Sequence, residues 1–465
     1  MKKYKIAIIG GGPAGMMAAI SSAKELKKPK NVILIEKNEY LGKKLLLTGG
    51  GRCNITNLKP TKKFLEKLRK EDKIFLKHSL YALDNEKLLS IFEKKGLEFK
   101  EEENGRCFPI TDDANSILLI LKEYLSELNI DILLNNHVKN ISKNKNNIFE
   151  INKNNENNKN NEINEINEVN NEDSKSRDNN DFIIETNKKT IYAEKVILAT
   201  GGDSYPQTGS NGEGYNIAAN LGHSISQIYP GAIPLKIEDA FLKKLAGISL
   251  ENISVLYKTK NNQKITSKGN VLITHFGLSG PGILDISNYI SKDYNFSKDK
   301  NSEKFSHEEI ELEDICIYLD MLPNMTEEEL NEKIIVDSQN NGKTMVKNYL
   351  KYYLRNRFID FFLNKIGVSG NKTLSNLTKK DKNKIINNIK SFQIKIKSLP
   401  EKSAMISCGG ANIDEINSKT MESKLKNCKN LFFAGELLES YGPTGGYNLQ
   451  IAFSTGYLAG TSATK

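Results

Sequence analysis

The apolar run Ile6-Ala7-Ile8-Ile9 passes directly into Gly10-Gly11-Gly12-Pro13-Ala14-Gly15, and the helix-favouring Met16-Met17-Ala18-Ala19-Ile20 follows. A second apolar run, Val32-Ile33-Leu34-Ile35, ends at Glu36, 21 positions after Gly15. This is a strand, a glycine turn, a helix and a second strand tipped by an acid, the spacing that cradles a dinucleotide. Gly10 permits the tight turn, Gly12 admits a pyrophosphate to the backbone, and Gly15 lets helix and strand approach. The helix start at Pro13 and Ala14 offers free N–H groups and a positive dipole end to the phosphates. Glu36 is placed to accept hydrogen bonds from an adenosine ribose. An α/β, Rossmann-like fold is expected, with the identity of the dinucleotide left open by this stretch alone.

The chain has 465 residues, enough for two or three domains. Its formal charge of +10 comes from 67 Lys and Arg against 57 Asp and Glu. Such a charge suits nucleic acid or an anionic membrane surface. The lysines are spread, however, with no compact basic block, so a solvated surface is the expectation and no nucleic-acid or membrane partner is expected. Five cysteines (Cys53, Cys107, Cys316, Cys408, Cys428) form no Cys-x-x-Cys pair. That argues against zinc and against a redox dithiol, and it suits a reducing, cytoplasmic location. Two uncharged stretches, Ile6 to Ala23 and Ser440 to Thr464, are interrupted by glycine and proline and read as nucleotide-binding turns feeding buried helices, not as membrane spans.

From Asn152 to Asn171, eleven of twenty residues are asparagine. So polar a segment cannot offset its ordering entropy by apolar burial, and a disordered hairpin tip over 152–181 is expected. Strand patterning resumes at Phe182–Glu185 and Ile191–Ala193, then runs into Val196-Ile197-Leu198-Ala199-Thr200-Gly201-Gly202. Short strand-like runs at Ser254–Thr259, Lys264–Thr266, Val271–Thr274 and Asp314–Leu319 predict a small β-domain. Residues 326–390 carry helical apolar spacing, such as Val346, Tyr349, Leu350 and Tyr353. Dinucleotide-type signals return in Leu431-Phe432-Phe433-Ala434-Gly435-Glu436 and in Tyr441–Gly460. The nucleotide domain is therefore expected to be built from both chain ends, with the middle inserted.

Thr48-Gly49-Gly50-Gly51-Arg52-Cys53-Asn54 is too rich in glycine for a helix or strand interior. Its N–H groups could cradle phosphate, with Arg52 adding charge. Thr200-Gly201-Gly202 brings backbone near a ligand, and Glu436 at a strand end could bind a ribityl or ribose hydroxyl. The helix start near Asn448 and Leu449, after Gly446, could stabilise the negative charge of a reduced isoalloxazine. A nicotinamide enzyme has no need of this second lobe, whereas an FAD enzyme does.

With these motifs in view, the chain resembles the BaiN/RdsA-type (YhiN-like) family of NAD(P)/FAD-dependent oxidoreductases. The matching strings are Gly10–Gly15, Gly42-Lys43-Lys44 with Thr48–Asn54, Ala199–Pro206, Gly209–Tyr215, Thr274–Pro281, Thr420–Ser423 and Phe433–Phe453. The asparagine-rich stretch and Cys107 depart from the family pattern. The resemblance implies a discontinuous Rossmann-like FAD-binding domain (1–205 and 401–465). It also implies an inserted β-barrel-like domain (206–320 and 391–400) and a small helical insert (321–390). The implied cofactor is FAD, with NAD(P)H as a transient reductant and a small-molecule acceptor. One member type is linked to reducing a carbon–carbon double bond of a steroid-like acid. An RNA-modifying flavoprotein and a non-catalytic redox sensor are the alternatives.

The expected cofactor ligands are Gly10, Gly12, Pro13, Ala14, Gly15, Glu36, Lys37, Lys44, Thr48, Gly50, Gly51, Arg52, Cys53, Asn54, Thr200, Gly201, Gly202, Gly435, Glu436, Gly446, Asn448 and Leu449. No metal is expected. His275 is a candidate general acid, and Tyr205 and Arg106 are candidates for proton donation and for anchoring an acidic substrate. A structural role suits His275 at least as well, and suits Tyr205 and Arg106 better.

Overall fold

The computed structural model of the protein describes residues 2–26, 31–143, 181–295, 309–312 and 314–465. Strand β1 (Lys3–Ile9) leads through the glycine turn into helix α1 (Pro13–Leu26), and β2 (Val32–Ile35) returns parallel to β1 with Ile6 opposite Val32. The buried, unbroken apolar faces of both strands are those of a parallel sheet covered on two sides. This sheet has seven strands. Asp131–Leu133, β2, β1 and Thr190–Leu198 run parallel in that order. Beyond them lie Phe182–Thr186 and Val138–Lys143, both antiparallel to their neighbours.

The long strand Thr190–Leu198 holds the unit together. Its far edge pairs first with Phe182–Thr186 and then, over Val196 to Leu198, with Leu431–Phe433 from the distant end of the chain. The expected runs at Ile191 and Val196 are thus one strand. The asparagine-rich stretch lies outside the described residues; the strands that bracket it pair, Lys143 opposite Phe182.

A second antiparallel sheet closes on itself. Leu235–Ile237, Gly277–Ser279, Lys264–Ile273, Ser249–Lys258, Cys316–Asp320 and Phe392–Pro400 follow one another around a barrel, and Phe392–Pro400 pairs back to Leu235–Ile237. Helices Glu327–Asn340, Asn356–Ile366 and Lys379–Lys390 interrupt it between its last two strands in chain order. Barrel and helices share one hydrophobic core, while the Rossmann-like sheet has its own. The C-terminal helix Tyr447–Ser462 lies against α1, where small residues permit close approach: a Cβ on Gly456 would fall 2.2 Å from the Ala14 carbonyl oxygen.

Candidate functional site

A cleft of about 1420 Å³, its open mouth included, runs along the carboxyl ends of the parallel strands. Open α/β sheets bind ligands at this edge. One end is walled by Glu36, Lys37 and Asn38, the middle by Gly10 to Ala14, and the other end by Tyr441, Asn448 and Leu449.

Three glycines of the turn differ in what surrounds them. Gly10 has φ +108°, and a Cβ there would sit 2.3 Å from the Ala199 carbonyl oxygen. A Cβ on Gly15 would fall 1.8 Å from the Gly10 carbonyl oxygen, so α1 packs on β1 through this residue. Around Gly12, by contrast, a Cβ would meet no atom within 4 Å. The space beside Gly12 belongs to the cleft.

Glu36 is buried and its two oxygens are ordered by the backbone: Gly11 N–H donates to Oε2 at 2.6 Å, and Asn38 N–H donates to Oε1 at 2.8 Å. Lys37 Nζ donates to Asn211 and Glu213 at 2.6 and 2.8 Å. Lys44 Nζ bridges Glu436 Oε2 and Ser204 Oγ, both at 2.5 Å, while Ser407 N–H donates to Glu436 Oε1 at 2.9 Å. Thr48, Gly201 and Gly435 also line the cleft. So does Thr200, whose hydroxyl is buried without a hydrogen-bond partner among the described residues. An orphaned buried hydroxyl, an unfilled space at Gly12 and two helix starts facing one cleft fit an extended dinucleotide.

Other expected ligands lie elsewhere. Gly49, Gly50 and Gly51 have φ of +60°, +70° and +90°, so the loop does need its glycines. It turns away from the cleft beyond Thr48, however. Arg52 pairs with Glu102 and with Asp112 and lies over Phe108, 4.1 Å from the ring centroid. Cys53 is buried in the core, its thiol pushed up to about 12 by loss of water, and the Asn54 carboxamide oxygen accepts from Cys107 N–H. Gly50, Gly51, Arg52, Cys53 and Asn54 are therefore absent from the cleft wall. Gly15, Gly202 and Gly446 also stand behind it, each packed against backbone or side chain: Gly10, Ser407 and Thr56 respectively.

None of the three catalytic candidates lines the cleft. His275 is exposed beside Phe276, because the turn that carries it ends at the barrel strand Gly277–Ser279. Arg106 faces Glu102, and Tyr205, at φ +57°, lies near Lys44 Nζ at 5.9 Å from its ring centroid. The structure instead brings Tyr441 to the wall, with Tyr229 and Arg69 behind it. Tyr441 stood in a quoted motif; Tyr229 and Arg69 carried no sequence signal. Among the described residues no cluster of His, Cys, Asp and Glu could hold a metal, and no helix is long and apolar enough to cross a membrane.

Comparison with known proteins agrees with this geometry. The chain is 28% identical over 464 residues to a ribosomal RNA dihydrouridine synthase of Haemophilus influenzae, covering 98% of each chain. It is 26% identical to a 3-dehydro-bile acid delta(4,6)-reductase of Clostridium scindens, covering 99% of each. A ribosomal RNA dihydrouridine synthase of Escherichia coli is also 26% identical, with 98% of this chain and 97% of that one covered. The model of the HI0933-like protein Rossmann domain matches residues 4–165 and 157–462. With nearly the whole length matched, this chain belongs to the HI0933-like family of FAD-binding Rossmann proteins.

Proposed function

We propose that this protein is an FAD-dependent reductase that saturates a carbon–carbon double bond conjugated with a carbonyl, using NAD(P)H as a transient electron donor. The observation that carries the reading is chemical. The names of its relatives point to two dissimilar substrates, a ribosomal uridine and a dehydro-bile acid, yet both describe the reduction of such a bond. Bound FAD supplies hydride chemistry at its N5 atom.

The chain's own residues bind and orient. The start of α1, with open space at Gly12, receives the pyrophosphate. Glu36, already fixed by Gly11 and Asn38, accepts from the adenosine ribose. The start of Tyr447–Ser462, at Asn448 and Leu449, lines the cleft and would favour negative charge on a reduced flavin held there. Residues 1–205 and 401–465 supply the cofactor unit together with Thr208 to Ala218, whose residues line the cleft or share its core, while the barrel strands within 235–320 and 391–400, with their helical insert, cover the acceptor. No second glycine fingerprint is present in the sequence, so the nicotinamide visits the same cleft. The site of action is the cytoplasm.

Anaerobic titration with NADH and NADPH, followed by oxidation with a panel of enones, tests this reading. Bleaching of the flavin spectrum and its return with an enone are expected. A flavin that no nicotinamide and no enone changes would sink it. A second reading, uridine reduction in RNA, is favoured by two of the relatives' names, and the net charge of +10 allows it. It predicts RNA affinity that falls steeply with salt.

A further inference from the structure

Two tyrosines meet at the inner end of the cleft. Tyr229, on the short strand Tyr229–Gly231, is buried, and its hydroxyl lies 3.1 Å from the hydroxyl of Tyr441. Tyr441 itself forms part of the cleft wall, next to Ser440. The Arg69 guanidinium lies over the Tyr441 ring, 4.1 Å from its centroid. Arg69 is aimed by Asp72, which accepts from its Nε and Nη2 at 2.5 and 3.0 Å and from Ser440 Oγ at 2.8 Å. Asp72 has no exposed side-chain surface, so this scaffold is rigid at its base.

The charged side chains on the cleft wall are committed elsewhere. Lys37 and His137 face Glu213, Lys43 faces Glu39, Lys44 faces Glu436, and Glu36 holds backbone N–H groups. Tyr441 is different: its hydroxyl meets the Tyr229 hydroxyl and the Cys408 thiol, neutral groups that can give as well as accept.

We propose that Tyr441 donates the proton to the acceptor, with Tyr229 and Arg69 as positioning residues. This rests on the reductase reading above. Two electrons and one hydrogen nucleus reach the β-carbon of the acceptor as hydride from the reduced cofactor, and the π electron pair shifts toward the carbonyl. The α-carbon then takes the proton of Tyr441 Oη, so one C–H bond forms at each carbon and the double bond is lost. The tyrosinate left behind accepts from Tyr229 O–H and faces the Arg69 cation, and water restores the proton. Burial raises the Tyr441 hydroxyl above the usual phenol range, against the opposing pull of Arg69, so the phenol stays protonated and able to donate at neutral pH.

The test uses the holoprotein reduced anaerobically with dithionite, then mixed with 2-cyclohexen-1-one while flavin absorbance is followed. Tyr441→Phe is expected to slow reoxidation by about 100-fold or more, the scale of lost general-acid catalysis, and to leave dithionite reduction unchanged. Tyr229→Phe is expected to slow it by about tenfold, and the wild type is expected to show a solvent deuterium effect that Tyr441→Phe lacks. Binding of 4-nitrophenol to the oxidised holoprotein gives a readout without turnover: its bound absorbance should shift in the wild type and not in Tyr441→Phe. Reoxidation of Tyr441→Phe within about threefold of wild type would overturn the proposal. Should that variant not fold, a wild type without a solvent effect and an unaltered Tyr229→Phe would overturn it equally. A wild type that no enone reoxidises would defeat the reductase reading, and 4-nitrophenol would then decide whether Tyr441 faces a ligand at all.

Discussion

Thr444 N–H donates to Asp285 Oδ1 at 2.7 Å, tying the helix Pro281–Asn295 to the glycine loop that precedes the C-terminal helix. Removal from water pushes the Asp285 carboxyl up to about 6, against the pull of Thr444. Because the folded-state pKa is raised, the associated stability is present below about pH 4 and is lost as pH rises through about 6. Asp285→Asn keeps an acceptor for Thr444 and does not titrate. Urea denaturation should therefore show the wild type losing up to roughly 3 kcal/mol relative to Asp285→Asn between pH 4 and 7. Parallel stability profiles for the two proteins would refute this.

Gly12 and Gly15 should respond oppositely to the same methyl group. At Gly15 the added Cβ would lie 1.8 Å from a backbone oxygen, so Gly15→Ala forces α1 off β1 and should lower stability by about 3 kcal/mol or more. Gly12→Ala meets nothing within 4 Å and should melt within a few degrees of wild type. Its FAD affinity should nevertheless fall, because the methyl occupies the pyrophosphate's approach. Thermal melts of the apoprotein and fluorescence titration with FAD separate the two effects.

Glu36 and Arg52 make a second contrast. Glu36→Ala leaves the Gly11 and Asn38 N–H groups without their carboxylate and removes the ribose acceptor; FAD should bind about 10- to 100-fold more weakly. Arg52→Ala breaks part-exposed ion pairs with Glu102 and Asp112, worth about 1 kcal/mol or less, away from the cleft. Its FAD dissociation constant should match the wild type. Equilibrium dialysis against FAD checks both.

Four of the five cysteines (Cys53, Cys107, Cys408 and Cys428) are buried, and burial raises the thiols of Cys53 and Cys107 to about 12. Thiolate is scarce there near pH 8, and reagent access is poor. Brief treatment of the native protein with N-ethylmaleimide should label Cys316 alone, with the other four reacting after denaturation. Peptide mass mapping reads the result; native labelling of Cys53 would contradict the buried placement.

Much of this fold is legible in the sequence because its central parallel strands are buried on both faces where they read as unbroken apolar runs, as at Ile6 to Ile9, Val32–Ile35 and Val196 to Leu198. The barrel is less so. Lys264–Thr266 and Val271–Thr274 were read as separate runs, yet they belong to one strand, Lys264–Ile273. Ser267, Lys268 and Gly269 between them hold strand geometry by ladder pairing with Ser249–Lys258, without an apolar pattern to announce it, and Asn270 sits at a register shift. The site divides along the same line. Gly10, Gly12 and Glu36 are recognisable because local backbone geometry demands those residue types at that spacing. The Thr48–Asn54 loop shows its need for positive φ but not its direction, which Arg52 and buried Cys53 set through partners 50 or more residues away. Arg69 is one cation among many in its region until Tyr441, from the far end of the chain, arrives beneath it.

The pairing of Leu431–Phe433 with Thr190–Leu198, and the packing of Gly456 and Gly460 against α1, have a consequence for biosynthesis. The fingerprint at Gly10–Gly15 is synthesised well before the wall opposite it, which Leu431–Phe433 and Tyr447–Ser462 supply. The barrel and its helices, with a core of their own, can fold in the interval. Until Leu431–Phe433 and Tyr447–Ser462 are made the cleft lacks one wall, so cofactor loading waits on the synthesis of distant segments of its own domain.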